Sequence, residues 1–137
     1  MKEDFYLVGH LQVMDEPLSS LYVDHANGRY YIFVRLYVNA IKPTYLVSEV
    51  SLIMVQRYMK QEIGLTDIFS CSQAYLFTAS DKSEFSLSML VPLGKDKALN
   101  LLKDDGVEDL FDKYFSYKYV ALKNYINECL TKTTLIA

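Results

Sequence analysis

Apolar and polar residues alternate through the first third of the chain, and the period then lengthens. Residues 7–13 form an apolar run, Asp15-Glu16-Pro17 is turn chemistry, and a second strand is expected over 18–25. Asn27-Gly28 follows, the dipeptide favoured where a two-residue hairpin turn needs φ > 0 at both positions. A third strand over 29–38 is rich in Tyr, Ile, Phe and Val, and residues 44–47 form a short fourth. Beyond it, Val50, Ile53, Met54 and Tyr58 recur at helical spacing, which predicts a helix over 49–61 capped by Ser48. Gly64 is placed as the left-handed residue that stops this helix, and Thr66-Asp67 opens one further turn to about Ser70.

Strand signals return more weakly at 73–79 and 84–91, on either side of a loop at 80–83. Residues 95–104, 107–115 and 117–131 have helical character. The last of these carries Tyr119, Leu122, Ile126, Cys129 and Leu130 on one stripe. No internal repeat and no long linker divides the chain, so residues 1–137 are read as a single domain. The pattern predicts an α+β fold. An antiparallel β-meander of about five to six strands would carry helices over about 49–61, 107–115 and 117–131, packed on one face.

The hairpin permits a register argument. With two loop residues, Val23 faces Ile32 and Leu21 faces Val34, so Leu21, Val23, Tyr30, Ile32, Val34 and Leu36 share one aliphatic face. Folding the first strand back adds Leu7, Leu11 and Val13 to it. The opposite face reads His10, Gln12, Ser20, Tyr22, Asp24, Tyr31, Phe33, Arg35 and Tyr37. The C-terminal helices can cover this second face, with tyrosine hydroxyls at the rim. Alternatively, the aromatics and the guanidinium can take a planar ligand or a partner's side chains.

Composition narrows the possible partners. Half of the residues (51%) are hydrophobic and 23% are charged, as in a globular chain. The net charge of −3 supplies no basic field for phosphate, so nucleic acid is not an expected partner. No apolar run approaches the roughly 18 residues of a membrane span, and residues 1–16 lack a signal-peptide core. Cys71 and Cys129 stand far apart without CxxC spacing and are expected as reduced thiols in a cytoplasmic protein.

Candidate chemistry is sparse. The register places His10 and His25 on opposite faces, where they cannot serve one metal or one substrate together. His10 with Asp24 could form a base and its orienting acid, and Ser20 is the nearest hydroxyl, but no triad is completed. The carboxylate pairs Asp15-Glu16 and Asp104-Asp105 fall in turns, and no phosphate-loop pattern accompanies Leu93-Gly94-Lys95. No catalytic residue, metal site or cofactor is therefore assigned.

From Asp15 to Phe69 the chain follows a recognisable order. Pro17-Leu18 opens a strand, the aromatic strand Arg29–Tyr37 follows, and Tyr45-Leu46-Val47-Ser48-Glu49 leads into a helix. That helix closes on Glu62-Ile63-Gly64-Leu65-Thr66-Asp67-Ile68-Phe69. This order resembles a family of small uncharacterised bacterial domains, from which the chain departs at Ser19-Ser20 and in lacking a proline at Val47-Ser48. The resemblance implies a bacterial, phage or other mobile-element origin and an α+β fold, and carries over no residue role. The leading expectation is a non-enzymatic interaction or assembly module. Its binding face would comprise Tyr22, Asp24, Tyr31, Phe33, Arg35, Tyr37 and His10, and would take a protein partner or a second copy. The alternative is a sensor that stacks a small, nucleotide-like ligand on the same face.

Overall fold

Six strands lie side by side in chain order. The computed structural model describes residues 5–13, 17–37, 43–78, 90–104 and 120–136. Strands β1 (Phe5–Val13), β2 (Pro17–Asp24), β3 (Tyr30–Leu36), β4 (Thr44–Val50), β5 (Ala74–Thr78) and β6 (Val91–Leu93) form one sheet ordered β1-β2-β3-β4-β5-β6. Every neighbouring pair is antiparallel. Helices α1 (Leu52–Met59) and α2 (Leu65–Cys71) join β4 to β5, while α3 (Lys95–Asp104) and α4 (Val120–Ile136) follow β6. The fold is α+β, and none of these helices is long and apolar enough to cross a membrane. The expected helix at 107–115 and most of the expected strand at 84–91 lie outside the described residues.

The β2–β3 hairpin closes two residues earlier than a two-residue turn allows. Val23 pairs with Tyr30 and Leu21 with Ile32. The loop is longer because Asp24 is its first anchor. Its backbone N–H donates to the Arg29 carbonyl, its carbonyl accepts from Gly28 N–H, and its Oδ1 accepts from Ala26 N–H at 2.9 Å. Within this loop only Gly28 takes a positive φ, +73°, so Asn27 is not at a type I′ position and instead accepts from Arg29 N–H through Oδ1. The pairing has slid by two residues, which preserves every side-chain direction in β2 and β3.

Strand β1 behaves differently. Its register against β2 shifts between Leu7 and Gly9, between His10 and Gln12, and again before Val13. Each irregularity reverses the alternation. Leu7, expected in the aliphatic core, pairs with Tyr22 on the other face and is 48% exposed. Gln12, expected on the tyrosine face, pairs with Ser19 and is fully buried on the aliphatic side. There its Oε1 accepts from Ser19 Oγ at 2.7 Å and from the Tyr58 hydroxyl at 2.9 Å.

Two expected caps are also displaced. Ser48 is a buried strand residue between Ile32 and Ala74, and β4 runs on to Val50. The N-cap is Ser51, whose Oγ accepts from Met54 N–H at 3.2 Å. At the far end of α1 it is Gln61 that adopts φ +63°, while Gly64 is extended and caps α2, its N–H donating to Asp67 Oδ2 at 2.9 Å. Pro92 pairs with Tyr75 in β6, an edge strand where a missing N–H is tolerated.

One face of the sheet carries the main core. Leu11, Leu21, Ile32, Val34, Leu36 and Leu46 pack under Val55 and Tyr58 of α1, Leu65, Ile68 and Phe69 of α2, Ala98 and Leu102 of α3, and Leu122 and Ile126 of α4. Each fully buried Leu, Ile, Val or Phe side chain among these contributes about 1.5–3 kcal/mol. All four described helices therefore lie on the aliphatic face, and α4 does not cover the tyrosine side. Gly9 lets α4 approach: a Cβ there would lie 3.3 Å from Leu122 Cβ.

Candidate functional site

The opposite face carries a second, aromatic layer. Phe5, Tyr31, Phe33, Val47, Phe77 and Leu90 are buried together, with Tyr22, Tyr45 and Tyr75 half-buried around them. Phe33 is its centre. Its ring lies 4.7 Å from Tyr22, 5.8 Å from Phe5, 5.9 Å from Phe77 and 6.2 Å from Tyr45. Most of these pairs meet edge to face, the arrangement that sets a positive ring edge against a negative ring face. Among the described residues, no helix contributes to this layer.

The layer is electrically asymmetric along the strands. At the hairpin end stand Asp24 and Glu49, the cross-strand partners of Phe5 and Tyr31. The Tyr31 hydroxyl titrates above its ordinary range, chiefly because it is buried and then because the Glu49 and Asp24 carboxylates oppose its ionisation. Asp24 is fully buried, and its Oδ2 has no hydrogen-bond partner among the described residues. At the other end Arg35 pairs with Tyr45, and its guanidinium lies 5.2 Å from the Tyr37 ring centroid and 5.6 Å from that of Tyr45. Tyr37 is 44% exposed and forms the open lip of the layer.

The expected binding residues thus separate into three settings. Tyr31, Phe33 and Asp24 are buried, Tyr22 and Arg35 are half-buried, and Tyr37 is exposed. His10 sits on β1 opposite Ser20, with Nδ1 2.6 Å from Ser20 Oγ, and partial burial holds its imidazole below the usual histidine range. Ser20 is itself buried. His25 lies in the hairpin loop with its ring edge-on to Tyr6 at 5.0 Å. Among the described residues no three His, Cys, Asp or Glu side chains gather as metal ligands, and Cys71 and Cys129 are unbridged.

Phe5, Tyr45, Val47, Tyr75 and Phe77 belong to the layer but were not expected in it. A signal for four of them was present. Tyr45, Val47 and Glu49 alternate on β4, and Tyr75 and Phe77 alternate on β5, in the same phase as Tyr31, Phe33 and Arg35 on β3. Phe5 has no such signal, because the irregularities of β1 break the phase.

Comparison of the chain with family models, curated proteins and solved structures returns no significant match.

Proposed function

We propose that this protein is a non-enzymatic interaction module whose contact surface is the open end of the aromatic layer. The observation that carries this reading is the Arg35 guanidinium held over the rings of Tyr37 and Tyr45, beside a tyrosine that is 44% exposed. Tyrosine and arginine in a rigid, pre-ordered array are the side chains that most often dominate protein interfaces, because little freedom is lost when they are covered. The buried phenylalanines behind them supply that rigidity. The partner is another protein or a second copy of this chain. The resemblance over residues 15–69 adds a bacterial, phage or mobile-element setting to the reading, and the two unbridged cysteines add a cytoplasmic location. The planar-ligand alternative is less well supported, since Tyr31 and Phe33 offer no open ring face on which to stack a base.

The test is the double variant Arg35→Ala/Tyr37→Ala, with Tyr37→Ala alone as the milder control. The tagged wild-type protein, expressed in its own cells, should retain a specific protein, or the purified protein should sediment as an oligomer. The double variant should lose that association at an unchanged melting temperature. A wild-type monomer that captures nothing overturns the reading, as does capture that survives both substitutions.

A further inference from the structure

A second site is built on the opposite side of the sheet, where α1 meets α4. A cavity of about 240 Å³ is lined by Gln56, Met59, Lys60, Lys123, Ile126 and Asn127. Each helix supplies the same three kinds of group from one face. On α1 and its C-cap these are Gln56, Met59 and Lys60, and on α4 they are Asn127, Ile126 and Lys123. Spacings of three and four residues hold each set together on its own helix. Met59 and Ile126 are buried and make an apolar floor. Across it, Gln56 Nε2 donates to Asn127 Oδ1 at 2.7 Å and ties the two helices.

The two ammonium groups give the site its sign. Among the described residues neither Lys60 nor Lys123 forms an ion pair, although Arg29, Arg57 and Lys132 each do, and no carboxylate lines the cavity. Both lysine side chains are exposed, so they bring positive charge to the rim of a hollow with an apolar floor, where an anion can meet both. The Gln56–Asn127 bond uses one amide N–H of Gln56 and leaves the Asn127 amide nitrogen as a further donor at the same rim. The volume lies below the roughly 300 Å³ at which pockets accept drug-sized ligands, so the occupant is small. The apolar floor does not suit a fully hydrated ion such as inorganic phosphate.

We propose that the cavity between α1 and α4 binds a small organic carboxylate with a short apolar body. The carboxylate would meet Lys60, Lys123 and the Asn127 amide, and its body would cover Met59 and Ile126. This site is separate from the aromatic layer and stands or falls independently of it.

The test titrates hexanoate into the isotope-labelled full chain and follows backbone amide resonances. Hexanamide serves as the control with the same body and no charge, and inorganic phosphate as the control with charge and no body. Saturable shifts centred on residues 56–60 and 123–127 are expected with hexanoate, and only weak, unsaturated ones with either control. Lys60→Gln/Lys123→Gln, both at exposed positions, should weaken hexanoate binding about tenfold. Three results overturn the proposal: no saturable shift at these residues, equal binding of either control, or hexanoate binding untouched by the double substitution. The control ligands decide the matter on the wild-type chain even if the double variant folds poorly.

Discussion

Truncating Phe33 to alanine isolates the energetic weight of the aromatic layer. Phe33 is 2% exposed and makes ring contacts with Phe5, Tyr22, Tyr45 and Phe77. Removing a buried phenylalanine ring costs about 3–5 kcal/mol in lost transfer energy and residual cavity. Each aromatic pair adds about 0.5–1.5 kcal/mol beyond area, so the loss of four pairs places Phe33→Ala at the upper end, about 4–5 kcal/mol. With a urea slope of about 2 kcal/mol per M, the unfolding midpoint should fall by about 2 M, against a total stability of about 5–15 kcal/mol. Phe33→Leu keeps most of the volume but loses the same four ring pairs, and should cost about 2–3 kcal/mol, a fall of about 1–1.5 M. Urea unfolding followed by far-UV circular dichroism and by tyrosine fluorescence measures both, the chain having no tryptophan. A fall below about 0.5 M for Phe33→Ala would refute the claim that this face is a packed layer, since an open ring would lose only what solvent replaces.

Gly28→Ala forces an L side chain into φ +73° and should destabilise by about 1–2 kcal/mol in the same urea assay. Asn27→Ala, where φ is not positive, should cost less, through loss of the 2.8 Å bond from Arg29 N–H. The His10 imidazole, depressed below 6.5 by burial, binds its proton less readily in the folded chain than in the unfolded one. Between the folded value and 6.5 the unfolded state therefore carries more protons. Stability is complete above 6.5, declines as pH falls below it, and levels off once pH passes the folded value. Ring-proton titration by NMR should place the His10 midpoint below 6.5, and His10→Asn should flatten the decline.

Side-chain directions were more legible in the sequence than strand pairings were. In β2 and β3 the faces were legible even though the turn type was not, because a slip of two residues leaves the alternation in phase. In β1 the same reasoning failed for Leu7 and Gln12, since an irregularity is encoded by tertiary pairing and not by residue type. Ser48 and Ser51 are chemically identical candidates for the α1 cap, and only the continuation of β4 against β3 and β5 decides between them. Of the candidate sites, the tyrosine face followed from alternation alone. The α1–α4 cavity did not, because Gln56 and Asn127 meet only when two helices 71 residues apart pack on the same sheet.

That late meeting bears on how the chain reaches its shape. Every strand of the sheet pairs with its sequence neighbour, so the meander can zip up by short closures that cost little entropy. Helix α4 is the exception. It returns to the first and third strands, seating Leu122 against Gly9 and joining the Tyr125 hydroxyl to that of Tyr30 at 2.8 Å across 95 residues. It acts as a clasp, drawing the end of the chain back over its beginning. Opening it would uncover the face of β1 at Gly9 and separate the two halves of the lysine-rimmed cavity, while leaving the hairpins and the aromatic layer in place.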